Sequence, residues 1–95
     1  MKYYALIYHV AEDYITRRTQ FREEHLHLAN EAAQRGDLIL GGALRDPYDT
    51  ALLIFRVTDT SAIERFVHDD PYHKNGLVLS YEVREWNVVV GIDKK

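Results

Sequence analysis

A histidine and an aspartate, far apart in the chain, carry the chemistry this sequence can do. His25 sits in Arg22-Glu23-Glu24-His25-Leu26, and Asp70 in Asp69-Asp70-Pro71-Tyr72-His73-Lys74-Asn75-Gly76. Imidazole is the side chain whose free pKa lies near neutrality, so it can take and return a proton at physiological pH. A carboxylate beside it would orient the ring and stabilise its charged form. Arg22, three residues before His25, projects beside it on a helix, and its fixed fork suits a planar carboxylate or enolate oxygen. His27 lies about 200° further round and cannot share a small site with His25. Each residue also has a plainer explanation. His25 could be a half-buried histidine satisfied by one hydrogen bond, Arg22 a surface charge, and Asp70 the aspartate common before proline in a turn. Asp69 could equally accept a bond near the helix end. A carboxylate at a helix C-terminus is disfavoured by roughly 0.3–1 kcal/mol, which asks for a nearby histidine or arginine.

Tyr72 and Tyr48 could close an aromatic wall over a planar ligand, or could be packing and a loop anchor. Gly42, with Gly41, could let a ligand approach a strand closely or could mark a bulge. No glycine-rich phosphate loop and no Gly-x-Ser-x-Gly elbow is present, so neither nucleotide binding by those motifs nor serine hydrolysis has support. Of five histidines, His68 and His73 flank Asp70, but there is no His-x-x-x-His motif and three or four converging ligands are normally needed. No metal and no cofactor is expected.

These side chains must be positioned by one small domain, 1–95. A 95-residue chain with 46% hydrophobic and 28% charged residues has an ordinary globular balance. Its net charge of −3 argues against nucleic-acid binding, and there is no basic cluster beyond Arg17-Arg18 and Lys94-Lys95. No apolar run approaches the roughly 20 residues of a membrane helix, and the first residues lack the apolar segment of a signal peptide. With no cysteine, disulfides and thiolate chemistry are excluded. A soluble cytoplasmic protein is expected. Seven tyrosines in so short a chain point to an oligomer that covers aromatic surface.

Residues 3–9 read as a strand buried on both faces. Asp13 is placed to cap a helix running from Tyr14 to Arg35, whose stripe Phe21, His25, Leu28, Ala29 and Ala32 marks the inward face. Gly36 suits a left-handed C-cap. Leu38–Leu40 is a second strand stopped by Gly41-Gly42. Residues 44–49 form a proline-turn loop, and Thr50–Val57 is a central strand. Ser61-Ala62-Ile63-Glu64 has capping-box form, opening a helix with Ile63, Phe66 and Val67 inward. Pro71 fits a chain that has left that helix by Asp70. A long last strand, from Leu77 to Val90, bends near Arg84-Glu85. Its Trp86 and Val88-Val89-Val90 suggest burial beyond one sheet face. The order is βαββαβ, the ferredoxin-like α+β arrangement, with two helices on one face of a four-stranded antiparallel sheet. Apolar residues on both sides of the strands predict a second subunit on the other face.

The pattern Arg22-x-x-His25-Leu26, Gly36-x-Leu38 with Gly41-Gly42, Asp70-Pro71-Tyr72 with Gly76, and Trp86 resembles the YciI-like (YCII-related) family over nearly the whole chain. The resemblance implies a ferredoxin-like fold dimerising as the dimeric α+β barrels do. It also implies an active site centred on His25 and Asp70, with Arg22 and Tyr72 alongside. Two departures stand out. Ala43 follows the glycine pair where members commonly have proline, and the next loop is short. Activities attached to the family include a dehydrochlorinase-type lyase acting on a hydroxylated aromatic.

Together these features predict a cofactor-independent lyase or isomerase acting on a small cyclic or aromatic anion. His25 would move the proton, Asp70 would orient and stabilise its ring, and Arg22 would hold an oxygen. The alternative is a non-catalytic homodimer, or higher homo-oligomer, that binds a small ligand or supports a partner, in which His25 and Asp70 tie helix ends together. A haem- or quinol-handling monooxygenase of the same barrel type is the third reading.

Overall fold

The computed structural model describes residues 1–91; Lys94 and Lys95 lie outside the described residues. Its elements are β1 (Lys2–Val10), α1 (Tyr14–Arg17), a 3₁₀ turn (Arg18–Gln20), α2 (Arg22–Gln34), β2 (Leu38–Ala43), β3 (Thr50–Val57), α3 (Ser61–Asp69), α4 (Pro71–Lys74) and β4 (Val78–Trp86). The strands form one sheet in the order β2-β3-β1-β4 with every neighbour antiparallel. This is the α+β ferredoxin-like arrangement that the order of elements predicts.

Side chains alternate across a strand, and in β1 that alternation divides the two faces. Tyr4, Leu6, Tyr8 and Val10 are buried, whereas Tyr3, Ala5, Ile7 and His9 are half-buried. The buried set joins Leu53, Phe55 and Val57 of β3 and Ile63, Phe66 and Val67 of α3 in one core. Fully burying a Leu, Ile, Val or Phe stabilises by about 1.5–3 kcal/mol each, so this helix-covered face holds the fold together. Of the seven tyrosines, Tyr4, Tyr8, Tyr14 and Tyr72 are buried.

Four local expectations are corrected. The helix expected over 14–35 is broken, because the Thr19 hydroxyl donates to the Thr16 carbonyl (3.1 Å), competing with the backbone ladder, and Phe21 leaves helical geometry (φ −117°, ψ 0°). Asp13 precedes α1, but its side chain caps nothing and pairs instead with Arg17 at 3.6 Å. The second strand does not stop at the glycines. Gly41, Gly42 and Ala43 pair with Leu53, Leu52 and Ala51, and a Cβ on Gly41 would meet Leu53 Cγ at 3.3 Å, so a side chain there requires Leu53 to shift by a few tenths of an ångström. The capping box does not form: Asp59 Oδ1 accepts from the Ser61 amide (2.9 Å) and hydroxyl (2.6 Å), while Glu64 takes the Tyr81 hydroxyl at 2.7 Å.

The last strand ends at Trp86, which pairs with Tyr3 near the start of β1, so the described residues beyond it, 87–91, are not part of the sheet. Trp86, Val89 and Val90 are exposed in the single chain rather than buried. Gly36 closes α2 at φ +87°, the left-handed position expected of it.

Candidate active site

Small residues create the cavity. Ala29 and Ala33 on α2 face Gly41, Gly42 and Ala43 on the edge strand β2, and none has a side chain long enough to fill the gap. The result is an open cavity of about 350 Å³, within the roughly 300–1,000 Å³ typical of ligand sites. The polar and aromatic part of its wall is built from His25, Arg22, Arg18, Tyr8, Tyr14 and Tyr72.

His25 and Asp70 meet there. Nδ1 of the histidine lies 2.8 Å from Asp70 Oδ1. Asp70 is fully buried, and its placement follows from Pro71. The proline ends α3, puts Asp70 in extended geometry (φ −72°, ψ 119°) and opens α4, so Asp70 becomes the N-cap of that second helix. Its Oδ1 accepts the Tyr72 amide at 3.0 Å and its Oδ2 the Tyr8 hydroxyl at 2.8 Å. The Tyr72 amide can only donate and an ionised carboxylate can only accept, so Asp70 is the acceptor and His25 Nδ1 the donor. That tautomer leaves Nε2 with its lone pair, and Nε2 has no hydrogen-bond partner among the described residues. A buried charge is tolerable only when paired and hydrogen-bonded, and three donors do that here.

Tyr72 forms the floor under the imidazole. The two rings stack at 3.9 Å between centroids and 7° between planes, and Tyr14 meets Tyr72 edge-on at 5.7 Å. The Tyr72 hydroxyl is buried and makes no hydrogen bond of good geometry among the described residues, although Arg22 lies near enough to act on its oxygen. Burial pushes its pKa up, with Tyr14 adding and Arg22 and Arg18 pulling the other way. Burial, followed by the Asp70 charge and hydrogen bond, pushes the Tyr8 hydroxyl far above its ordinary range. Both phenols are therefore protonated at neutral pH.

The structure thus brings His25, Arg22, Tyr72 and Gly42 to one cavity, with Asp70 bonded to His25 behind its wall. Tyr48 lies outside its wall and does not face Tyr72 across a ligand. It reaches the site only through the Arg18 guanidinium, whose carbon is 5.8 Å from the Tyr48 ring and 5.4 Å from that of Tyr14. Sequence reasoning passed over Tyr8, Tyr14 and Arg18. Arg18 had a signal, since positions 18, 22, 25, 29 and 33 follow helical spacing and all line the cavity. Among the described residues no group of three or more histidines, cysteines or carboxylates could hold a metal ion, and no helix is long and apolar enough to cross a membrane.

The fold is shared with solved structures over almost the full chain. 5-Chloro-2-hydroxyhydroquinone dehydrochlorinase (TftG) from Burkholderia phenoliruptrix AC1100, in complex with 2,5-dihydroxybenzoquinone, is 17% identical with a TM-score of 0.76, covering 98% of this chain and 99% of that one. Protein Atu4242 from Agrobacterium tumefaciens is 14% identical, with a TM-score of 0.60 over 92% of each chain. A NIPSNAP family protein (Atu5224) from Agrobacterium tumefaciens C58 is 14% identical, with a TM-score of 0.56 over 97% of this chain and 94% of that one. At these identities the likeness is one of fold. No curated protein sequence matches significantly. A sequence model of the YCII-related domain, however, matches residues 1–87, and the chain belongs to that family.

Proposed function

We propose that this protein is a cofactor-independent lyase or isomerase, dehydrochlorinase-like, that moves a proton on a small cyclic or aromatic anion. The carrying observation is the 2.8 Å bond between His25 Nδ1 and the buried Asp70 carboxylate, beside a cavity that His25 itself lines. With Nδ1 donating, Nε2 is the base. It takes a proton from a substrate carbon or hydroxyl, and the Asp70 charge stabilises the imidazolium that results. In an elimination the leaving group then departs with its bonding pair; in an isomerisation the proton returns to a different atom. Arg22, also on the wall, holds the oxygen on which negative charge develops. The shared fold of the dehydrochlorinase TftG, a protein seen with a dihydroxybenzoquinone, is the likeness that favours a hydroxylated ring and an elimination.

The test is kinetic. In a screen of hydroxylated and halogenated ring substrates, His25→Ala should lower kcat by about 10²–10⁴-fold at a temperature where the variant, though less stable, is still folded. A variant that keeps near-full turnover removes His25 from the chemistry.

The protein acts as a homodimer in this proposal. The sheet face away from the helices carries Leu40, Ile54 and Trp86, and Leu40 and Trp86 are exposed in the single chain. A second copy would cover them. The non-catalytic reading has one observation in its favour. Asp70, bonded to Tyr8, Tyr72 and His25, ties β1, α2 and α4 together whatever the cavity does.

A further inference from the structure

We propose that Arg18, Arg22 and the Tyr72 hydroxyl form one anion subsite, and that its ligand is a single planar ring carrying two ionised oxygens. The proposal rests on the acid–base reading only in calling that ligand the substrate. Both guanidinium groups line the cavity, and no aspartate or glutamate does. Asp70 stands behind the wall, fully buried and already engaged by three donors. Neither Arg18 nor Arg22 has a carboxylate within 4.0 Å among the described residues, unlike Arg17 and Arg35, which pair with Asp13 and Asp37. Arg18 is held instead between the faces of Tyr14 and Tyr48, a mount that fixes a guanidinium without neutralising it. In a chain of net charge −3, two uncompensated cations at one cavity reverse the local sign.

The Tyr72 hydroxyl supplies the third element. It is buried, with the Arg22 guanidinium near enough to bond weakly to its oxygen, while its own proton has no acceptor among the described residues, and a buried donor left unpaired is costly unless a ligand completes it. Arg22 and Arg18 both act electrostatically on that hydroxyl, so the three groups address the same region. Burial keeps Tyr72 protonated and therefore a donor at neutral pH. One guanidinium suffices for a monoanion; two with a phenol donor match a dianion. The flat His25–Tyr72 stack and the cavity volume of about 350 Å³ select a planar molecule of one ring.

The probe is 2,5-dihydroxybenzoquinone, doubly ionised near neutral pH, titrated calorimetrically into wild type, Arg18→Met, Arg22→Met and, as a control for lost charge, Arg65→Met on the exposed side of α3. Wild type should bind, and Arg18→Met and Arg22→Met should each weaken binding about tenfold or more. Arg65→Met should stay within about threefold because exposed distant charges are screened. Should Arg18→Met lose its thermal transition, Arg18→Gln carries the same comparison. Equal binding by wild type and the Arg18 variant overturns the subsite, as does a wild type that binds nothing, and both leave the acid–base role of His25 open. Arginine-dependent binding in a protein that turns over no screened substrate does the reverse.

Discussion

His25 lies flat on Tyr72, 3.9 Å from centroid to centroid, while the backbone amide of Tyr72 and the imidazole share a single oxygen of Asp70. One residue therefore fixes both the plane of the histidine and the carboxylate that orients it. The Tyr72 hydroxyl is a separate matter, buried with its proton lacking an acceptor among the described residues. Tyr72→Phe keeps the stack and the amide but removes that donor. It should hold or raise stability, by up to about 1–3 kcal/mol, and weaken ligand binding. Urea melts alongside titration of 2,5-dihydroxybenzoquinone check this; lowered stability with unchanged binding would contradict it.

Asp70→Asn makes a prediction about a tautomer. The Tyr72 amide can only donate, so the atom facing it must remain an oxygen. The new amide nitrogen must then face Tyr8, whose hydroxyl can turn to accept. His25 keeps its proton on Nδ1 and loses only the neighbouring charge. Nitrogen-15 NMR of the imidazole should show the same tautomer in both proteins, with kcat lowered in the variant. Asp70→Ala should cost far more stability, about 3–5 kcal/mol, because it strands three donors. A switch to the Nε2 tautomer in Asp70→Asn would show that Tyr72 does not hold the carboxylate as described.

Alkaline pH tests Tyr8. Burial first, and then the Asp70 charge and bond, raise its hydroxyl above the ordinary 10.0. The folded state thus keeps a proton that the unfolded chain gives up above pH 10, so the Tyr8 contribution is whole below that pH and shrinks as pH rises past it. Wild-type melting temperature should fall steeply above about pH 10, and Tyr8→Phe should show a shallower fall. The variant should start lower at neutral pH by about 1–3 kcal/mol, having lost the bond to Asp70. Parallel slopes would exclude Tyr8 as a source of the alkaline loss.

Sedimentation tests the bare sheet face. Leu52 lies on that face opposite Ile7, half-buried in the single chain. The proposed dimer should sediment at twice the chain mass, and Leu52→Glu should shift it to the monomer while keeping the circular dichroism spectrum. A wild type that sediments as a monomer at micromolar concentration removes the dimer.

The sheet, its order of elements and the buried set Ile63, Phe66 and Val67 were legible because alternation and helical spacing are local. His25, Arg22 and Asp70 were picked out by residue type, and the structure brings His25 and Asp70 within 2.8 Å beside the cavity that Arg22 also lines. What escaped was set by competition between distant or neighbouring groups. The break before α2 depends on the Thr19 hydroxyl taking the Thr16 carbonyl. The failed capping box depends on Tyr81, 17 positions away, taking Glu64. Tyr8 reads as an ordinary inward residue of β1, and only its meeting with Asp70, 62 positions on, gives its hydroxyl a purpose. Arg18 was hidden because a charged residue in a polar stretch reads as solvated until a cavity is seen beside it.

The two walls of the cavity differ in how freely they can change. His25 and Asp70 are knotted into the core through Tyr8 and Tyr72, so altering them loosens the molecule. The opposite wall is the edge strand β2, bonded to β3 on one side only, and a Cβ placed on Gly42 would meet nothing within 4 Å. Side chains can be added there at little cost to folding. Gly42 pairs with Leu52 on the bare sheet face, so divergence at this position would alter the surface that a second copy covers and leave the His25–Asp70 arrangement untouched.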